Sequence, residues 1–169
     1  MPHLNIPVYK INQANLRIKH KPRVMVGRVS FEIAPGTGLS LNDWYTRPTG
    51  QMKPRVPGFA DQSILATGLP EIQLKFCWPG YEHLDIVEHC PLVGLKCNGQ
   101  VAQAVAGAFK IFMQKAAQVA CKEPRFAIAP GSPYNMQTVV LIALRHVCGD
   151  VFIAEVDYQP SIPSSRMMS

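Results

Sequence analysis

The sequence predicts an α+β domain in which a small, mostly antiparallel sheet packs on one long amphipathic helix, at about residues 98–121. Three observations lead to this fold class. A chain of 169 residues suits a single domain and can bury a hydrophobic core without disulfides or a structural metal. Apolar residues make up 47% and charged residues 17%, which favours a folded chain. Fifteen prolines interrupt the chain, so we expect short strands, many turns and only one long helix.

The charge pattern divides the chain into three parts. Residues 1–28 form a basic N-terminal arm or edge strand, residues 29–159 form the α+β domain, and residues 160–169 form a C-terminal tail. No acidic residue precedes Glu32, so the whole net charge of +6 falls in the arm. Such an arm can bind nucleic acid, an anionic membrane surface or an acidic protein partner. The candidate residues are Lys10, Arg17, Lys19, Lys21, Arg23 and Arg28.

Apolar and polar residues alternate over residues 16–21 and again over residues 24–33, which is the period of a half-buried strand. The dipeptide Pro35-Gly36 ends this pattern with a turn. Residues 34–63 then read as a long, proline-rich irregular loop. Its aromatic residues are expected to pin it to the body, and an apolar loop of this kind often docks on a neighbouring molecule. The self-association candidates are Trp44, Tyr45 and Phe59.

Residues 72–78 alternate again and predict a strand, which a second strand at residues 84–87 joins as a hairpin. The long helix follows, with Asn98 as its cap and Pro124 beyond its end. Its apolar face consists of Val101, Ala104, Val105, Ala108, Phe112, Ala116 and Val119.

Two runs rich in β-branched residues, at 138–147 and 151–158, surround Cys148-Gly149-Asp150. This arrangement favours a terminal hairpin. A helix over residues 136–147 is the alternative.

The five cysteines are odd in number and have no framework spacing, which predicts reduced thiols. With no signal-peptide core and no apolar run of transmembrane length, the sequence predicts a cytoplasmic or nuclear protein. No cofactor, metal or catalytic motif is recognisable. The nearest metal-ligand set lacks a Cys-x-x-Cys pair, and packing explains it more simply: Cys77, His83, His89, Cys90 and Cys97. Cys90 with His89 and the nearby acids Asp85 and Glu88 is the nearest catalytic set, although sequence neighbours seldom face each other on a strand.

The order of features from about residue 29 to residue 158 resembles a domain of unknown function common in basidiomycete fungi. The matching residues are Phe31-Glu-Ile with Pro35, Ala66-Thr67-Gly-Leu-Pro70 leading into residues 72–76, then residues 84–87, the helix from Val101, and residues 151–156. The chain lacks the Val-Thr-Val strand before the helix and the tryptophan of the last strand. The resemblance implies no enzymatic activity.

These observations predict a non-enzymatic structural or interaction protein that self-assembles into a homo-oligomer. The alternative is a small basic protein of the viral matrix or capsid type, which binds nucleic acid or membrane through its N-terminal arm. A third hypothesis is a Cys-based or metal-dependent enzyme.

Overall fold

The computed structural model describes residues 4–6, 16–84 and 86–160. Within these ranges, seven strands and three α-helices form the fold, and short 3-10 turns lie at residues 65–67, 82–84 and 124–126. In chain order the elements are β1 (Leu4–Asn5), β2 (Arg28–Ser30), β3 (Leu39–Ser40), α1 (Leu41–Thr46), α2 (Thr49–Met52), β4 (Glu71–Lys75), β5 (Val87–Pro91), α3 (Asn98–Ala116), β6 (Val139–Cys148) and β7 (Val151–Tyr158). The predicted α+β class is confirmed.

The strands form one mixed sheet in the order β2-β6-β7-β4-β5. β1 also pairs with β7, and β3 pairs with β6. All of these pairings are antiparallel except that of β4 with β7, which is parallel. Because β6 and β7 are the central strands, every other strand except β5 pairs directly with one of them.

The predicted terminal hairpin of β6 and β7 is confirmed, and the alternative helix over residues 136–147 is wrong. Both strands are buried along most of their length, with Leu141, Leu144 and Phe152 almost inaccessible to solvent. Stiff β-branched side chains suit such a surface, where they pack against cross-strand neighbours. Gly149, with a φ of 52°, supplies the left-handed residue of the connecting turn.

α3 is the predicted long helix and packs on the sheet, but it ends at Ala116 rather than near residue 121. After Ala116 the amides of Gln118 and Val119 donate to carbonyls three residues back, which tightens the turn. The amide of Lys122 then donates to the carbonyl of Gly80. A tertiary contact therefore ends the helix before Pro124, and Val119 lies outside the buried face at 41% exposure.

The start of α3 also differs from the prediction, because Cys97 occupies the cap position. The Asn98 carboxamide instead accepts a hydrogen bond from the amide of Ile64 and donates one to Ser63 Oγ. One residue later, a Cβ on Gly99 would lie 2.3 Å from the ring of Phe59. Glycine therefore allows the helix to approach the preceding segment closely.

Aromatic side chains join α3 to the end of β4. Phe76 stacks on Phe112 with ring centroids 4.4 Å apart and meets Phe109 edge-on at 4.8 Å. Trp78 donates a 2.7 Å hydrogen bond from Nε1 to the carbonyl of Phe126. Phe76 and Trp78 were predicted to lie in a strand at residues 72–78, whereas β4 ends at Lys75 and both side chains belong to this cluster. The hairpin partner β5 likewise begins at Val87, later than the predicted strand at residues 84–87.

Residues 34–63 are not a wholly irregular loop, because β3, α1 and α2 lie within them. Ser40 Oγ accepts a hydrogen bond from the amide of Asp43 and so caps α1. Trp44 on α1 is fully buried, stacks on Phe59 at 6.0 Å and meets Phe31 edge-on at 5.7 Å. The expectation that aromatic residues pin this segment to the body is confirmed for Trp44 and Phe59.

The strand predicted over residues 16–21 is wrong, since residues 16–27 contain no regular secondary structure. Of the pattern at residues 24–33, only Arg28–Ser30 forms a strand. The physical reason lies in the backbone hydrogen bonds, because several amides of this segment bond to buried side chains instead of to a neighbouring strand.

Candidate functional site

Residues 16–28 carry most of the predicted polyanion-binding residues, and we name them the basic strap. The strap crosses the turn between β6 and β7, where the fully buried Asp150 receives it. The carboxylate of Asp150 accepts hydrogen bonds from the amides of Lys19 (3.4 Å) and His20 (3.2 Å). The same carboxylate accepts a third bond from Gln73 Nε2, at 2.9 Å.

Gln73 also connects the strap to the sheet through another strap residue, Arg17. Its Nε2 also donates to the carbonyl of Arg17 at 2.6 Å, and its backbone amide donates to the carbonyl of Asp150 at 2.8 Å. The buried carboxylate is thus satisfied by three donors, as burial of a charge requires. These bonds hold the strap by its backbone and leave the basic side chains out of the anchoring.

His146 anchors the later part of the strap. Its Nε2 lies 2.6 Å from the carbonyl oxygen of Gly149 and therefore carries the proton, because a carbonyl can only accept. Nδ1 is then free to accept, and it does so from the amide of Val26 at 3.2 Å. The ring stacks on Phe152 with centroids 4.2 Å apart. Between the two anchors, the amide of Arg23 donates to the carbonyl of Thr67 at 2.8 Å.

Four basic side chains project from this fixed backbone, and all four are exposed: Arg17, Lys19, Lys21 and Arg23. In the part of the chain that the structure describes, none of them forms an ion pair with a carboxylate. The strap therefore presents four positive charges that no acidic side chain of that part neutralises by direct contact.

The two remaining candidates of the basic arm differ from these four. Arg28 lies in β2, where its Nε donates to Glu155 at 2.6 Å and its guanidinium also lies 3.6 Å from Glu32. The hydrogen bond to Glu155 raises the pKa of Arg28, so its charge is fixed and already paired. Lys10 lies outside the described residues.

The strap also exposes large apolar side chains, which the sequence pattern did not indicate. Ile18 is 50% exposed, and Val24 and Met25 are each 49% exposed. Alternation over residues 16–21 predicted that Ile18 would face a core, but it covers Gly149 with only part of its surface. Asp150 and His146 were missed as anchors as well, although a carboxylate inside an apolar β-branched hairpin is an unusual feature that could have marked the turn.

The structure separates the three self-association candidates. Trp44 and Phe59 are buried inside the chain and are unavailable to another molecule in this conformation. Tyr45 is 48% exposed and lies under Lys110, whose Nζ is 4.7 Å from the ring centroid. Self-association stays a prediction, and Tyr45 is the candidate residue that can still contribute to it.

Cys90 is unsuited to the nucleophilic role considered from the sequence. Burial raises the pKa of its thiol to about 12, and the charges of Glu88 and Glu71 act in the same direction. The thiol therefore stays protonated near neutral pH, whereas the thiolate is the reactive form. The neighbouring His89 instead lies 3.5 Å from Glu71 through Nδ1, and Asp85 is outside the described residues.

Metal ligation was considered for Cys77, His83, His89, Cys90 and Cys97. Within residues 4–6, 16–84 and 86–160, no group of three or more His, Cys, Asp or Glu side chains is arranged to hold a metal ion. Nor is any helix in those ranges both long enough and apolar enough to cross a bilayer.

Comparisons of the chain with known protein families, curated proteins and solved structures find no match. The resemblance to the fungal domain stays a prediction.

Proposed function

We propose that this protein is a non-enzymatic binding protein that docks on anionic lipid surfaces through the basic strap. The observation that carries the proposal is the combination, on one backbone-anchored segment, of three half-exposed aliphatic side chains with four basic ones that pair with no carboxylate of the described residues. Peripheral membrane attachment uses both components, since basic groups attract anionic headgroups and apolar groups enter the boundary between headgroups and acyl chains.

The charge supplies the long-range part of this attraction. A Lys or Arg near an anionic leaflet contributes about 1 kcal/mol at physiological ionic strength. If their effects add, Arg17, Lys19, Lys21 and Arg23 contribute about 4 kcal/mol, or roughly three powers of ten in the partition coefficient. Screening by salt weakens this contribution.

The aliphatic side chains favour a lipid surface over a nucleic acid as the partner. Ile18, Val24 and Met25 carry no group that pairs with a phosphate or a base edge, and the described strap contains no Phe, Tyr or Trp on which a base could stack. Its one aromatic ring, that of His20, lies beside Glu71, with Nε2 3.8 Å from the carboxylate. Membrane insertion, in contrast, gains free energy from each apolar side chain that leaves water.

Anchoring by Asp150 and His146 supports the proposal because it reduces the conformational entropy that binding must remove. The strap backbone is already held by hydrogen bonds at residues 17, 19, 20, 23 and 26. Docking then orders side chains and not a whole segment, and a preorganised surface binds more tightly for the same contacts.

Cosedimentation with vesicles tests this function. The full chain is mixed with vesicles of phosphatidylcholine alone or with a quarter of phosphatidylserine, at low and at physiological salt. We expect binding only to the anionic vesicles, weakened by salt. Replacing Arg17, Lys19, Lys21 and Arg23 with Gln should weaken binding about 10²–10³-fold. The matched control replaces four exposed basic residues elsewhere and should retain most of the binding: Lys53, Arg55, Lys96 and Lys122.

A second variant, Val24→Ser with Met25→Ser, tests the apolar component and should weaken vesicle binding about tenfold without changing its salt dependence. An RNA and a DNA oligonucleotide are titrated in parallel by fluorescence anisotropy. Strap-dependent binding to the oligonucleotides without binding to anionic vesicles would overturn the membrane proposal in favour of nucleic acid. Equal losses of vesicle binding in the strap variant and in its charge-matched control would show that the net charge of the protein, and not the strap, causes the binding.

A further inference from the structure

A second surface, separate from the strap, lies between α1, the C-terminal half of α3 and residues 128–137. These elements enclose a cleft of about 520 Å³, which is within the range of small-molecule sites. Its apolar wall is formed by Met113, Ile128, Tyr134 and Met136. Unbranched methionine side chains adapt their shape to an apolar ligand more readily than branched ones.

Internal contacts hold the walls of the cleft in place. Tyr134 is 7% exposed, and its ring meets Trp78 and Tyr158 edge-on at 5.5 and 5.4 Å. The amide of Asn42 on α1 donates to the carbonyl of Met136 at 2.8 Å, which ties the helix to the opposite wall. The walls of the cleft are therefore held by contacts within the chain itself.

Lys110 is the single charged residue among those that line the cleft. Its ammonium group lies over the Tyr45 ring at 4.7 Å and forms no ion pair with a carboxylate in the described ranges. The side-chain amides of Asn42 and Gln114 also line the cleft, and neither bonds to the described part of the chain. One cation and two side-chain amides, none of them paired within the described ranges, thus lie beside an apolar wall.

We propose that this cleft binds a small amphipathic carboxylate, with its apolar chain against Met113, Met136 and Tyr134 and its carboxylate near Lys110. A single ammonium group matches one negative charge. A phosphate, with a higher charge and more acceptor oxygens, is recognised in proteins by larger sets of donors or by arginine forks. The amides of Asn42 and Gln114 supply additional donors for the carboxylate oxygens.

Dodecanoate, below its micelle concentration, is the probe, and isothermal titration calorimetry measures its binding to the full chain. Lys110→Gln should weaken binding about tenfold or more, because a charge-assisted hydrogen bond is lost. The matched control is Lys115→Gln, which removes the same charge from the same helix at a residue outside the cleft, where Lys115 pairs with Glu88 at 2.6 Å. This control should bind dodecanoate like the wild type.

A second variant, Ala117→Trp, fills the cleft from an exposed position and should abolish binding while the far-ultraviolet circular dichroism and the midpoint of urea unfolding are retained. Dodecyltrimethylammonium has the same chain with the opposite charge and should not bind. The proposal is overturned if this cation binds as well as dodecanoate, if Lys110→Gln has no effect, or if Ala117→Trp still binds. The cleft variants leave the strap unchanged, and the strap variant with Gln at residues 17, 19, 21 and 23 should bind dodecanoate like the wild type. Loss of dodecanoate binding in that variant would assign the ligand to the strap and overturn the cleft proposal, so the two proposals fail independently.

Discussion

Replacing Asp150 with Ala should release residues 19 and 20 of the basic strap from the turn between β6 and β7. In the wild type its carboxylate holds Gln73 Nε2 at 2.9 Å and the amides of His20 and Lys19 at 3.2 and 3.4 Å. Alanine removes all three acceptor interactions. Gln73 keeps its bond to the carbonyl of Arg17, whereas the two strap amides lose the partners that fix their position.

The expected cost follows from these distances. A hydrogen bond to a charged group contributes about 1.5–3 kcal/mol, and the two longer bonds should lie at or below the lower limit. The desolvation cost of the buried carboxylate offsets part of the sum. We therefore expect Asp150→Ala to lower the free energy of unfolding by about 3 kcal/mol, or the melting temperature by about 6–12 °C.

Urea unfolding measures the total loss of stability, and amide hydrogen exchange shows which residues lose protection. The amides of Lys19 and His20 should lose protection first, while β6 and β7 exchange only through global unfolding. Asp150→Asn keeps the shape and one acceptor oxygen and should cost less. The control, Asp61→Ala, removes an exposed carboxylate and should change stability by less than about 0.5 kcal/mol. An Asp150→Ala variant with wild-type stability and wild-type protection at residues 19 and 20 would refute the anchoring role.

Two further predictions concern the aromatic segment and the buried thiol. Trp44→Ala should cost about 3–5 kcal/mol in urea unfolding, since the ring fills the core, whereas Tyr45→Ala should change stability little. If the chain self-associates through this segment, sedimentation equilibrium should show a weaker oligomer for Tyr45→Ala, and a wild-type monomer at all concentrations would contradict self-assembly. For Cys90, the raised pKa means that the folded state retains a proton that the unfolded state loses. The stability that this proton contributes is complete below the unfolded pKa of about 8.5 and is lost as the pH rises towards about 12. Over this window the free energy of unfolding of the wild type should fall with pH more steeply than that of Cys90→Ala. The difference in slope should reach about 1.4 kcal/mol per pH unit. Parallel pH profiles of the two proteins would contradict this.

Local periodicity predicted the fold class and the larger elements. Residues 98–116 carry apolar side chains three and four positions apart, and residues 139–148 and 151–158 carry dense β-branched runs, so short-range patterns were sufficient to identify α3 and the terminal hairpin. Element ends were harder to predict. The last residues expected in the helix follow a different path because Lys122 bonds to Gly80, far away in sequence.

The site was less predictable than the fold. Composition alone located the positive charge in residues 1–28, because a charge count needs no knowledge of contacts. It did not reveal that Arg28 is paired with Glu155, or that Ile18, Val24 and Met25 are exposed among the remaining cations. The alternation that predicted a strand over residues 16–21 was present, but no strand among the described residues supplies the hydrogen bonds.

The sequence by itself therefore determined the element types, the α+β class and the location of the charge, all of which depend on residues close together in the chain. Tertiary structure decided which of these residues face solvent, which are buried, and which are fixed by hydrogen bonds to distant side chains. Trp44 and Phe59 are buried because α1 and its following segment fold against α3. The strap is held without a strand partner because Asp150, some 130 residues later, accepts hydrogen bonds from its amides. A buried carboxylate requires donors, and only the folded chain brings them to it.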